Sequence, residues 1–263
     1  IGWHATRLLD LLPRFSDSEL EPFFDMLIKQ KELLEQHYLH NDLIVNKAHE
    51  TWIDTGGEAD PRDGACIEIQ CLHQKLNDCL TALAQRLGKE YHPVDRRETI
   101  KARFFKGHLL DRVHYGVPDP TMRPNIFLAY YLCPELLEQH EWELTFDKAL
   151  EHLWLSWGGL ASISKMSSLF HIQYTGQNNY SYHRGDSWYF INNIGAIAMH
   201  RLNPQKYAPY VKSITNASIK EVLFRGALGH HAEVSSAKQQ ESQGCLAQAW
   251  SAATFIELTK ELQ

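Results

Sequence analysis

The chain has 263 residues, of which 44% are hydrophobic and 22% charged, so a disordered state is excluded and length leaves room for one large domain or two small ones. Its 26 Lys+Arg against 32 Asp+Glu give a net charge of −6, which argues against a nucleic-acid binder because no basic excess is available to neutralise phosphates. The longest apolar runs, such as Ile126 to Leu132, are far too short to cross a bilayer.

The apolar residues recur mostly at helical spacing. Trp3, Leu8, Leu9 and Leu12 predict a first helix that stops near Pro13. Ser16-Asp17-Ser18-Glu19 offers a capping box for a second helix through Phe23, Phe24, Leu27, Leu33 and Leu34. A Gly/Asp/Pro-rich stretch from Thr55 to Gly64 follows. Ile67, Leu72, Leu76, Cys79, Leu80, Leu83 and Leu87 define a long amphipathic helix ended by Gly88. Further helices are expected over 94–105, 124–132, 143–154, 187–202, 205–224 and 245–262. Residues 107–122, with Pro118 and Pro120, read as a loop. Residues 156–186 read as a long loop, a length that usually carries function. No alternating Val/Ile/Thr-rich strand stands out, so the fold class is all-α.

The 5 cysteines form no C-x-x-C pair, and Cys66, Cys71, Cys79, Cys133 and Cys245 read as buried small hydrophobes in a reducing compartment. No signal peptide is visible, and the chain opens at Ile1 inside a helical pattern, so an upstream part is expected.

Four loop segments concentrate aromatics, amides, Arg and carboxylates. They are Glu50 to Asp54 with Pro61 to Ile69, Met122 to Asn125, Asn178 to Trp188, and Gly229 to Glu233 with Gln243 to Ser251. Sugars present flat C–H faces and a border of hydroxyls, which aromatics and hydrogen-bonding side chains match.

The order of these segments resembles the amylo-α-1,6-glucosidase domain of glycogen debranching enzymes. That family carries T-W-M-D, P-R-x-G with V-E-I, R-P-N, Y-H-x-G-x-x-W and C-x-x-Q-A-W-S motifs. Here they read Thr51-Trp52-Ile53-Asp54, Pro61-Arg62-Asp63-Gly64 with Ile67-Glu68-Ile69, Arg123-Pro124-Asn125, Tyr182 to Trp188, and Cys245 to Ser251. The resemblance covers about residues 40–262 and implies an (α/α)6 toroid of helix hairpins in a single domain, 1–263. A complete toroid has twelve helices, so the remaining ones are expected upstream of Ile1.

The resemblance implies an inverting hydrolase that frees the α-1,6-linked glucose of a trimmed glycogen branch in the cytoplasm, with no metal or cofactor. Inversion needs an acid for the leaving oxygen and a base for water on the opposite face. By the motifs, Asp54 is the acid and Glu233 the base, about 6.5–9.5 Å apart. A raised pKa is expected for Asp54, with burial or a neighbour such as Glu68 to hold its proton. Trp52, Trp188 and Trp250 are assigned to stacking on glucose. Arg62, Glu68, Arg123, Asn125, His183 and Gln248 are assigned to the rest of the substrate site. The expected partner is an α-glucan or oligosaccharide, with neither nucleic acid nor membrane.

The pattern departs from the family at Ile53, at His230-His231-Ala232 before Glu233, and at Asp186, which reads as an extra acid at the rim. Other readings stay open. Asp54 fits an Asx turn, Glu233 a surface carboxylate, and Glu68 an ion-pair partner of Arg62. His230-His231 with Glu233 does not fit a helical metal motif, because adjacent side chains diverge. A toroid glycosidase for a smaller α-glucoside, a silent glycan-binding domain and a structural scaffold are the alternatives.

Overall fold

The structure, a computed structural model, describes residues 1–55 and 60–263. Part of the Thr55 to Gly64 stretch therefore lies outside the described residues. Nine α-helices run in chain order among the described residues: α1 (Gly2–Leu11), α2 (Asp17–Tyr38), α3 (Ile67–Leu87), α4 (Arg97–Phe104), α5 (Asn125–Leu132), α6 (Gln139–Leu153), α7 (Tyr189–Leu202), α8 (Ala208–Phe224) and α9 (Ala249–Glu261).

Local chemistry explains several ends. The Ser16–Glu19 capping box opens α2, and Gly88, with φ 63°, closes α3. A second box, between Glu138 and Glu141, starts α6 at Gln139 instead of 143. Its first turn is polar, so the apolar period misses it.

Every residue of α5 is buried, and in α7 only His200 and Arg201 are not. A helix apolar on all sides must be enclosed on all sides. Accordingly α5 packs on α3, α6 and α7, and α7 packs on α5, α8 and α9. Helices α1, α3, α5, α7 and α9 follow one another around an interior, while α2 and α8 lie outside α3 and α7. Arg7 of α1 meets Glu257 of α9 at 2.9 Å and also reaches Tyr131 of α5, so side chains span the interior. This is the helix-hairpin ring of an α/α toroid. Phe127, Phe146, Trp142 and Tyr207 fill its core, each contributing about 1.5–3 kcal/mol by burial.

Several expectations are corrected. Short strands of two or three residues pair between loops, and the 107–122 loop contains the hairpin Arg112–His114 with Val117–Asp119. Ladders this short leave no alternating pattern to read. Phe23 and Leu33 of α2 are exposed, although their spacing assigned them to an apolar stripe. Cys245 is exposed, whereas the other four cysteines are buried.

Candidate active site

Glu233 stands just before the strand Val234–Ser235, which pairs antiparallel with Ser187–Trp188. The ladder joins the loop carrying Glu233 to the loop carrying His183, and the Tyr189 amide donates to the Glu233 carbonyl at 3.1 Å. On its other side Glu233 donates its amide to the Cys245 carbonyl at 2.8 Å. The Glu233 carboxylate accepts from the Cys245 amide at 3.0 Å and from Gln248 Nε2 at 3.1 Å. Gln248 also caps α9, its side chain accepting from the Trp250 amide. The Tyr182 hydroxyl is a further partner of Glu233. Burial raises the Tyr182 phenol well above its ordinary value, and the charges of Glu233 and Asp54 add to that. One tyrosine thus feels both carboxylates.

Asp54 accepts from His183 Nε2 at 3.2 Å, with its own side chain 57% exposed. His183 is fully buried, and burial, helped by the charges of Arg123, Arg62 and Arg184, pushes its pKa down to about 3. It is therefore a neutral imidazole at any working pH. Its Nδ1 finds no partner among the described residues, which favours the tautomer with the proton on Nε2, donated to Asp54. The contact is a hydrogen bond from a neutral ring.

A buried network ties the remaining motifs together. Arg62 donates to Glu68 at 2.6 and 2.9 Å, to Asp111 at 2.9–3.1 Å and to Thr51 Oγ1 at 3.0 Å. Asp111 accepts from Asn125 Nδ2 at 2.7 Å, and Asn125 Oδ1 accepts from the Trp52 indole at 2.7 Å. Arg123 pairs with Asp60 and donates to the carbonyls of Ser162 at 3.1 Å and His183 at 2.9 Å. A buried cation without anions would be prohibitive, and these pairs satisfy it.

Aromatic rings continue the site. Trp188 stacks on His183 at 5.0 Å and 8°. Trp52 meets His183, Trp188 and Phe190 edge-on at 5.1–5.4 Å, and Phe190 touches Trp250 at 5.0 Å. Beside this row a pocket of about 240 Å³ opens within the helix ring, walled by Trp3, Trp52, Glu68, Phe190, Trp250 and Glu257. It shares the tryptophans with the site but not Asp54 or Glu233, and most of its lining is apolar.

Asp54, Glu233, Trp52, Gln248 and Trp250 keep some contact with solvent. Arg62, Glu68, Arg123, Asn125, His183 and Trp188 are buried. Apart from His183 Nδ1, their side-chain polar atoms bond protein groups, and Trp188 has one face against His183. They set the site from beneath its surface. Glu68 is the ion-pair partner of Arg62, with both oxygens taken, and does not serve Asp54 in the expected way. Asp186 is fully buried, not at the rim, and accepts from Ser181 Oγ at 2.7 Å. His231 is sealed against Tyr189 and Phe255 while His230 faces solvent, so the two histidines diverge. Asp60, Asp111 and Tyr182 were not singled out from the sequence. The signal for the two aspartates was the need of Arg62 and Arg123 for anions. Tyr182 stood in a motif with no role attached.

Two glycines make the close approaches possible. Gly185 has φ 153°, and a side chain there would run into the His171 carbonyl. Gly244 has φ 68°, and a Cβ would collide with the Glu233 carboxylate.

Residues 31–257 match the family model described as Amylo-alpha-1,6-glucosidase. No curated protein matches the sequence. Similar solved structures include an uncharacterized conserved protein from Thermus thermophilus, at 18% identity and TM-score 0.54, covering 76% of this chain and 50% of that one. A GH63 mannosylglycerate hydrolase from the same organism, in complex with Tris and D-glycerate, aligns at 16% identity and TM-score 0.54 over 75% of this chain and 47% of that one. With glucose bound, that hydrolase aligns at 18% identity and TM-score 0.51, over 75% and 46%. The chain spans about half the length of these structures. At such identities the likeness speaks for the fold, an (α/α)6 toroid.

Proposed function

Because the chain belongs to the amylo-alpha-1,6-glucosidase family, we propose that it is an inverting glycoside hydrolase releasing glucose from the α-1,6 branch points of trimmed glycogen or limit dextrin. Asp54 donates a proton to the leaving glycosidic oxygen. Glu233 takes one from the water that attacks the anomeric carbon from the opposite face. The carbon–oxygen bond breaks as the new one forms, and the product carries the inverted anomeric configuration.

The observation that carries this reading is the meeting of two distant carboxylates on consecutive residues, Glu233 on Tyr182 and Asp54 on His183. Their hydrogen-bond environments differ. Glu233 accepts hydrogen bonds from the Cys245 amide and from Gln248 Nε2. Asp54 receives one bond from a neutral ring, through Oδ1. Trp52 and Trp250 offer ring faces to the sugar, and Gln248 an amide for its hydroxyls. The four buried, unpaired cysteines fit a reducing compartment, and the cytoplasm is the proposed place of action.

The test is glucose release from a branched limit dextrin and from isomaltose, with the anomer followed by proton NMR. The reading expects β-glucose to appear first and activity to fall at least about 10³-fold in Asp54→Asn and in Glu233→Gln, as loss of an acid or base in a concerted step implies. α-Glucose appearing first would mean retention and overturn the mechanism. Turnover of isomaltose alone would favour the smaller α-glucoside. Binding of maltooligosaccharides without turnover would favour the silent glycan-binding domain.

A further inference from the structure

We propose that Tyr182 and His183 act together as a positioning pair, one residue for each carboxylate, so that a single dipeptide sets the gap between acid and base. The proposal rests on the reading of Asp54 as acid and Glu233 as base.

The pair is held at both of its carbonyls. Trp188 Nε1 donates to the Tyr182 carbonyl at 2.7 Å, and Arg123 donates to the His183 carbonyl at 2.9 Å. Arg123 is itself anchored by Asp60 and the Ser162 carbonyl. The rings are held as well: Trp188 lies flat on His183 at 5.0 Å and tilted against Tyr182 at 4.6 Å. One tryptophan therefore contacts both rings and bonds the Tyr182 carbonyl. Consecutive Cα atoms sit about 3.8 Å apart across a trans peptide, so a shift of the backbone at one residue carries the other with it. From this base the Tyr182 hydroxyl reaches Glu233 and His183 Nε2 reaches Asp54.

The two donors do different work. The Tyr182 hydroxyl bonds the Glu233 carboxylate and keeps it turned toward the attacking water. His183 donates from a neutral ring, so it fixes one oxygen of Asp54 without placing a positive charge beside it. The groups facing Glu233 are the Tyr182 hydroxyl, the Cys245 amide and the Gln248 amide, with Asp54 acting across Tyr182.

The experiment measures pH–rate profiles with two substrates, a branched limit dextrin and α-glucosyl fluoride, on the protein as it occurs and on its variants. Fluoride leaves with little help from an acid, so it isolates the base side. Tyr182→Phe is expected to lower kcat about tenfold on both substrates with KM nearly unchanged. It should move the acid limb of kcat/KM up by about half a pH unit or more, because a lost donor makes Glu233 more basic. A fluorotyrosine at position 182, a stronger donor of similar shape, should move that limb down; it also serves if the phenylalanine variant fails to fold. His183→Ala is expected to lose at least tenfold on dextrin and much less on the fluoride, with partial recovery in His183→Gln, which keeps a donor.

An acid limb that stays in place in both Tyr182 variants, while Glu233→Gln is inactive, overturns the pairing and leaves the acid–base reading standing. Equal losses on the two substrates in His183→Ala overturn the His183 half. Full activity of Glu233→Gln on both substrates overturns the underlying reading instead.

Discussion

Glu233 and Cys245 exchange two hydrogen bonds: the Glu233 amide donates to the Cys245 carbonyl at 2.8 Å, and the Cys245 amide donates to the Glu233 carboxylate at 3.0 Å. The carboxylate is thereby fastened by its own backbone partner. Gly244 makes this possible because a side chain there would occupy the space of the carboxylate.

Gly244→Ala should accordingly displace Glu233. The left-handed backbone costs about 1 kcal/mol with alanine, a modest loss of stability. With Glu233 as the proposed base, the larger effect is expected on chemistry, a fall of at least about tenfold in kcat, since ångström-scale misplacement of a catalytic group is costly. Rate and thermal midpoint measured on one preparation separate the two. An unchanged kcat would show that the carboxylate tolerates the move.

Trp250 is 51% exposed and touches Phe190, so it can present a face to sugar. Trp250→Ala is expected to raise KM several-fold, in line with about 1 kcal/mol of stacking, while the thermal midpoint moves little. A large drop in midpoint with KM intact would assign Trp250 to packing.

Arg62 is the cation shared by Glu68 and Asp111, and all three are about 1–2% exposed. Replacing it by methionine leaves two buried carboxylates without their partner. The expected loss is about 3–5 kcal/mol, read from urea unfolding. A loss below about 1 kcal/mol would mean that the carboxylates find water or protons at little cost.

Acid should destabilise the fold through histidines before it reaches most carboxylates. Burial lowers His183 to about 3, and His231 and His73 to about 4; Arg123 and Arg96 add to the effect on His183 and His73. In the unfolded chain each takes a proton near pH 6.5. Between about pH 6.5 and 4 the unfolded state binds more protons at these three sites, so stability falls as pH falls. Asp186 opposes this, because burial raises it to about 7 and the folded state holds its proton over the same range. These four groups alone give a net slope of roughly two protons. The urea midpoint should drop between pH 6.5 and 5 and drop faster still in Asp186→Asn, which removes the opposing group. A midpoint that stays flat over that range would show that the histidines are not held neutral.

Much of the architecture was legible in local chemistry. The Ser16–Glu19 box, the Ile67 to Leu87 stripe and Gly88 mark the long helices within a residue or so, because caps and period are short-range properties. The start of α6 was hidden by its polar first turn, and the strand pairs by their brevity. The exposure of Phe23 and Leu33 was hidden too, since spacing shows that a face is apolar but not what covers it.

Residue order by itself determined the helical class and the five motifs, and it singled out the two carboxylates proposed as acid and base, since all of these are written in neighbours along the chain. Only the folded arrangement decided that Arg62, Arg123 and Asn125 are spent on protein partners and that Asp186 lies inside. It alone brought Asp54 and Glu233 to the adjacent residues His183 and Tyr182. Burial and pairing depend on which distant segments share a volume, and the packing of α3, α5, α7 and α9 sets that.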